Sequence, residues 1–449
     1  SAFNIFKGLS EVPLFLKIIE LCPIPDLEIE NLLQQLRRFF LLKRHSISKN
    51  DNSLHLQSAL ALQCFANEFI YQETKEETKA VESLETQLQE SSFKAEKLSS
   101  YDIACLASYR PLHNYDWVKD MVPPQDLRPI FTRQVFEVQK ELTLRDDIPR
   151  LNPITDNISL VVQNQYEENP YPRWFSTKLE SNPITVKKLI HQMELKYIST
   201  KNPFSESPKI LLAGCGTGQH SLSTANKFSN SHITAIDLSL SSLSYAKRKT
   251  QEFGFSNIDY IQADILDLGM LDKKFDIIES VGVLHHMSDP FLGWKILSAC
   301  LKSGGIIKIG LYSELGRQPV VRARDMFVKQ NIRPDKIDML EFRSEIINMN
   351  DSTLDILRES GDFFSTSTLR DLIFHVQEHR FTIPQISKML DELELVFIGF
   401  DFANKKVLKF FRASYSSPDD LYDLEKWHQF EILNPTLFSG MYQFYAQKL

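Results

Sequence analysis

The sequence predicts an α/β protein built on a parallel sheet with helices on both faces. Three observations predict it. Ile210 to Ala213 is a short apolar run that breaks into the alternating glycines Gly214, Gly216 and Gly218, followed by a polar stretch, Ser221 to Asn226, able to open a helix. After a helix-length gap, His232-Ile-Thr-Ala-Ile-Asp237 is a second strand-like run ending in a carboxylate. Further apolar runs follow at Ile258–Ile265, Lys274–Ser280 and Ile306–Gly310, the last entered through Leu301-Lys-Ser-Gly304-Gly305. Strand-length runs alternating with helix-length gaps over 208–312 give parallel strands joined by crossover helices.

The first strand and its glycines carry most of the chemistry. Glycine tolerates positive φ and lets a ligand approach the main chain closely. The helix start behind it offers unpaired amide groups. Asp237, at the end of the second strand, is placed to accept bonds from ribose hydroxyls. A nucleoside-containing cofactor follows. The dinucleotide fingerprint requires a glycine three places after the second one, and that place holds Gln219. Gly-x-Gly-x-Gly instead resembles motif I of class I methyltransferases that use S-adenosylmethionine. That resemblance implies a Rossmann-like seven-stranded sheet. It also implies that Gly214, Gly216 and Gly218 wrap the methionine side, Asp237 holds the ribose, and the pair Asp264–Ile265 contacts adenine, with S-adenosylhomocysteine as product. One departure stands out: the broader family usually has an acidic residue two places before the first glycine, and this chain has Leu212.

The 449 residues exceed one core and predict several domains. Residues 1–150 carry apolar residues at three- and four-residue steps in Pro13–Leu21, Glu28–Phe40 and Leu54–Tyr71, which predicts an N-terminal helical cap or docking domain. Within it, Glu73–Glu96 is strongly charged and reads as a solvated helix or a connection. Residues 151–200 form a linker or lid, with a helix at Ile184–Lys196; 201–312 form the cofactor core. A helical insertion after the fifth strand occupies 313–392. Residues 393–449 complete the sheet with a strand at Leu393–Phe400 and an antiparallel partner at Met441–Gln447. Net charge is −7 with no long basic run, so a nucleic-acid footprint is not expected. The five cysteines are scattered without a Cys-x-x-Cys pair, which points to a reducing interior rather than a disulfide framework or zinc ribbon. No apolar run reaches spanning length and no signal-peptide pattern opens the chain, so the expected location is cytoplasmic, without stable membrane insertion.

Four groups of residues are candidates for the acceptor side. Gln165-Tyr-Glu-Glu-Asn-Pro-Tyr-Pro-Arg-Trp174 reads either as a lid, with Tyr166 and Trp174 as its key members and a carboxylate for an incoming ammonium, or as a linker whose aromatics pin it to the core. His285 and His286 follow the fourth strand at the ligand edge of the sheet and can shuttle a proton or position the acceptor. Tyr312 and Glu314 follow the fifth strand at the same edge. His375-Val-Gln-Glu378-His379 fits the inverted zinc-peptidase spacing, and the preceding Ser365–Phe374 would carry both histidines on one helical face. Zinc would need a third protein ligand. No metal is expected there; a polar cluster facing the cleft, or histidines that pack the helix, accounts for the motif.

Collected together, Gln165–Trp174, Ala213–Gln219, Ser280–Met287, Gly310–Glu314 and Phe374–Thr382 resemble a bacterial methyltransferase family often fused to tetratricopeptide repeats. With the helical N-terminal region they are similar to the rickettsial protein-lysine methyltransferases, which act on a large outer-membrane surface protein. The resemblance implies a protein substrate with acceptor lysines. Tyr166, Trp174, His285 and Tyr312 are the expected catalytic residues. Alternatives are methylation of a small metabolite or lipid precursor, and a scaffold that holds the cofactor without turnover. Homodimer formation is left open.

Overall fold

The computed structural model describes residues 8–46, 51–94, 96–179, 182–199, 204–228, 230–402 and 404–449. The boundary expected at 200/201, and residues 1–7 of the expected cap, lie outside them. The chain divides into two compact units.

The first unit comprises Ser1–Thr143, Pro172–Ser176 and Ala323–Phe374. Its described elements are helical. The charged segment expected near Glu73 is a helix, Lys75–Phe93, started by a capping box between Thr74 and Glu77. Val81, Leu84 and Leu88 recur every three or four residues and are buried, with Glu77 buried beside them and bonded to the Tyr109 hydroxyl at 2.8 Å. Arg343 clasps Glu30 through two bonds of 2.8 and 2.7 Å in the interior. Trp174 belongs to this unit and is buried. Beside it Arg173 lies 3.6 Å from Glu68 and over the ring of Phe65.

The second unit comprises Leu144–Tyr171, Thr177–Arg322 and His375–Leu449, and holds a seven-stranded sheet. Its strands are β1 Lys209–Ala213, β2 His232–Asp237, β3 Ile258–Gln262, β4 Phe275–Val281, β5 Leu301–Leu311, β6 Leu395–Phe400 and β7 Tyr442–Lys448. Their order is β3-β2-β1-β4-β5-β7-β6, parallel except for β7, which runs antiparallel to both neighbours. β5 is longer than its apolar run. Lys302–Gly305 bulge between the pairs Phe275↔Leu301 and Ile277↔Ile306, where Gly304 adopts φ +79°.

Side chains alternate between two apolar layers, as strand geometry requires. Leu211, Ala213, Ile278 and Ile307 join helices Pro290–Cys300, Ile383–Glu392 and Leu424–Leu433 on one face. Ile210, Leu212, Ile277 and Ile306 join helices Val186–Gln192, Gln219–Lys227 and Leu240–Glu252 on the other. Coverage of both faces explains why the inner strands read as continuous apolar runs.

Two expectations change. Residues 313–392 do not behave as one insertion: Ala323–Phe374 group with the helical unit, and the remainder with the sheet. The lid or linker expected from Gln165 begins as the last turn of a helix, Asn157–Glu168. Only at Asn169 does the chain leave it, because Pro170 disfavours helical geometry in the residue before it.

Candidate active site

In the sheet unit, the C-terminal ends of the parallel strands bring the expected cofactor residues to one edge. The strand order reverses between β1 and β4, the position where open α/β sheets bind ligands. Gly214, Gly216 and Gly218 all adopt positive φ, at +77°, +52° and +82°. Side chains there are excluded by space as well as by backbone. A Cβ on Gly214 would lie 2.2 Å from Val283, and one on Gly218 would lie 2.5 Å from Ala246. The loop passes directly into helix Gln219–Lys227 with Gly218 as its N-cap.

Asp237 ties this loop to β2. Its Oδ2 accepts from the Gly216 amide at 2.8 Å and its Oδ1 from the Ser239 amide at 2.9 Å. Burial raises its pKa to about 6; these amides pull the other way, and nearby Glu167 adds to the rise. A carboxylate offers about four acceptor positions, so those left over can meet two ribose hydroxyls. Asp264 caps the short helix after β3, accepting from Leu266 N at 3.0 Å. Burial raises its pKa too, opposed first by the Ser159 hydroxyl. Ile265 beside it is buried in the apolar layer.

On the acceptor side the rings form a continuous row. Tyr166 lies 6.3 Å from Tyr171 and 5.9 Å from His375, centroid to centroid. His375 stacks on His286 at 3.5 Å, His286 meets His285 at 4.2 Å, and His285 meets Tyr312 at 4.0 Å. The Arg317 guanidinium lies 3.7 Å over the Tyr312 ring. The row reaches the glycine loop, since the Tyr171 carbonyl accepts from the Thr217 amide at 3.3 Å.

The protonation of these rings follows from their partners. His286 Nδ1 is 2.6 Å from the Gln377 carbonyl, which only accepts, so Nδ1 carries the proton. His375 Nδ1 accepts from the Gln377 amide at 3.1 Å, so its proton is on Nε2. His285 is fully buried and neither ring nitrogen has a hydrogen-bond partner among the described residues. Burial, then the neighbouring His286, Arg317, His375 and His379, drives its pKa well below the usual histidine range. It is therefore a neutral imidazole with a lone pair to offer.

Tyr166, His285 and Tyr312 thus come together, joined by His286 and His375. The fourth expected catalytic residue, Trp174, sits in the helical unit. Of the two carboxylates in Gln165–Trp174, Glu167 is engaged elsewhere: it accepts from Leu240 N and Ser241 Oγ at 2.6 Å each and pairs with Arg145 at 2.9 Å, capping helix Leu240–Glu252. One other reading is corrected. The two histidines of His375-Val-Gln-Glu378-His379 do not share a helical face, because the helix ends at Phe374. Segment 375–382 instead runs alongside β5's exit, with His379 N bonded to His285 O and Phe381 N to Tyr312 O. Glu378 is committed to Arg317 at 3.0 Å, both side chains being buried. The pairing of His286 with His375 was not foreseen, since it rests on contacts across 91 residues between His286 and Gln377.

The sheet order, the glycine cradle and the strand-end carboxylate define a class I S-adenosylmethionine-dependent methyltransferase fold. Residues 205–350 match the family model described as a methyltransferase domain, and S-adenosylmethionine is its cofactor. An uncharacterized protein of Synechococcus sp. is 29% identical over 242 residues, covering 51% of this chain and 58% of the relative. A ubiquinone biosynthesis O-methyltransferase of Actinobacillus pleuropneumoniae is 30% identical over 139 residues, covering 30% of this chain and 57% of that enzyme. The chain therefore spans less than two thirds of the length of these curated relatives. Among solved structures, PKMT2 from Rickettsia typhi is similar with a TM-score of 0.43 and 17% identity, over 56% of this chain and 51% of that one. No helix among the described residues is long and apolar enough to cross a membrane.

Proposed function

We propose that this protein transfers a methyl group from S-adenosylmethionine to lysine side chains of a bacterial outer-membrane or surface protein. The observation that carries a nucleophile-orienting role is His285: a buried, neutral imidazole without hydrogen-bond partners among the described residues, between His286 and Tyr312 at the ligand edge of the sheet. The lysine target rests on the sequence resemblance to the rickettsial enzymes.

The sulfonium cofactor supplies an already activated methyl group. The chain has three tasks. Gly214, Gly216 and Gly218 bring the main chain against the cofactor, while Asp237 meets the ribose and Asp264 with Ile265 the adenine. The ring row Tyr166–His375–His286–His285–Tyr312 excludes water from the acceptor and orients it. A lysine amine must also shed a proton, with a free pKa of about 10.4. A dry, aromatic surround lowers that value, and the lone pair of neutral His285 can accept a hydrogen bond from the amine and orient it. Tyrosine faces receive the cationic amine before and after transfer.

The buried lone pair would equally orient a hydroxyl acceptor, and the relative from ubiquinone biosynthesis favours keeping that second reading. The test is transfer of radiolabelled methyl to candidate surface proteins and to small-molecule extracts, followed by acid hydrolysis. Label recovered as N-methyl-lysine supports the proposal. Label confined to small molecules refutes the lysine assignment, and cofactor binding without transfer refutes turnover.

A further inference from the structure

Glu279 is a charged side chain in an apolar layer. It lies on β4, directly opposite Leu212 of β1 and opposite Lys308 of β5. Register partners point to the same face, so it shares the layer that holds Ile210, Leu212, Ile277, Ile306 and Tyr445. It is only 4% exposed. An ionised carboxylate persists in such a position only when it is paired. Its partners are specific. His220 Nε2 lies 2.6 Å from its Oε2, and Thr224 Oγ1 donates to the same oxygen at 3.0 Å. Both belong to helix Gln219–Lys227, the helix that the glycine loop enters. Burial alone would raise the pKa of Glu279; His220, with Lys308 and Lys227, outweighs it and holds the group at about 2. Lys308 is itself anchored to Asp401 at 2.8 Å, so the positive side of the pairing is fixed independently.

Leu212 is the place where the family resemblance leads one to expect an acid. The carboxylate is instead one strand over, on the same face and in register with it. We infer that Glu279 is the positioning residue of the cofactor cradle: through His220 it fixes the junction of glycine loop and helix, doing from β4 what a carboxylate at position 212 would do from β1. Neighbouring strands lie about 4.8 Å apart, a distance that a glutamate side chain reaching toward the same helix can bridge. The His220 ring is about one third exposed, so the pair is buried at the glutamate end and open at the imidazole end. Its hydrogen bond thus links the sheet interior to the cradle surface.

The test uses the full chain and isothermal titration with S-adenosylhomocysteine, together with urea unfolding of the same samples. Glu279→Gln and His220→Gln should each weaken binding by about tenfold, the loss of one charge-assisted bond. The double variant should be no weaker than either single one, because both remove the same link. Returning the carboxylate to β1 in Leu212→Glu/Glu279→Gln should restore at least half of the lost affinity on a logarithmic scale, which a merely structural role would not. Unchanged affinity in Glu279→Gln overturns the inference. So does an affinity loss that follows the urea midpoint and is not restored by the Leu212→Glu exchange. Failure of the wild-type chain to bind the ligand is a different result: it overturns the cofactor assignment, and this inference with it.

Discussion

Asp237 offers the sharpest quantitative test of the cofactor site. Its carboxylate serves two main-chain amides and is raised by burial to about 6 in the free protein. Bonds to ribose hydroxyls favour the ionised form, so binding at low pH must first expel a proton. At pH 5 about one molecule in eleven would be ionised, so affinity should fall about tenfold between pH 7 and pH 5. Asp237→Asn separates charge from shape. It loses a charge-assisted bond to the ribose worth about 1.5–3 kcal/mol, or about ten- to 150-fold in Kd at pH 7. It also turns an amide NH2 toward Gly216 N or Ser239 N, leaving a donor facing a donor and lowering thermal stability. With Asp237 no longer titrating, the tenfold slope across pH 5–7 should be lost. Calorimetry of S-adenosylhomocysteine at three pH values measures both effects. A wild-type profile that is flat, or an Asp237→Asn profile that keeps the tenfold slope, refutes the assignment of Asp237 to the ribose.

Other outcomes follow from the same geometry. Gly214→Ala forces a Cβ to 2.2 Å from Val283 at φ +77°, so it should cost about 1–2 kcal/mol in backbone strain alone and abolish tight cofactor binding; adding Val283→Ala should recover part of the loss, read by melting temperature and calorimetry. His285→Phe should leave cofactor binding intact while methyl transfer falls about 10²-fold, and undiminished transfer would remove His285 from the mechanism. Because the folded state keeps His285 neutral, it binds fewer protons than the unfolded chain; wild-type stability should fall as pH drops below about 6.5, and fall less in His285→Phe, as urea midpoints would report. Arg317→Met leaves the buried Glu378 carboxylate only Arg380, 3.9 Å away, and should cost up to about 3 kcal/mol in urea unfolding, with Arg317→Met/Glu378→Gln less damaged than the single variant.

The sheet and its glycine turn were legible because local signals agreed. Apolar runs bounded by glycine, Asp237 at a strand end and Asp264 after the next all lie within one stretch of chain, where local pattern governs. The acceptor side was less legible, for identifiable reasons. Ser365–Phe374 predicts a helix continuing through His379, yet the chain turns out at His375. There, pairing with His285 and Tyr312 carbonyls outweighs helix propensity, and no local pattern announces those partners. Glu167 looks like a free acid in a ligand-binding segment. Its commitment as a helix cap is visible only once Leu240 and Ser241 are brought to it across more than 70 residues. Leu212 read as a missing acid because the compensating Glu279 sits on a strand that is remote in sequence and adjacent in space.

The antiparallel β7 has a consequence for how this sheet is made. It is the last of the seven strands in sequence, yet it is wedged between β5 and β6 rather than hung on the rim. Until residues 442–448 emerge from the ribosome, two flanks that will be interior stand with open backbone groups. Assembly must wait on contacts that span more than a hundred residues, a slow step during which those flanks can capture a neighbouring nascent copy. Chaperone demand during synthesis should therefore concentrate at this late insertion, well after β1 to β4 have been made.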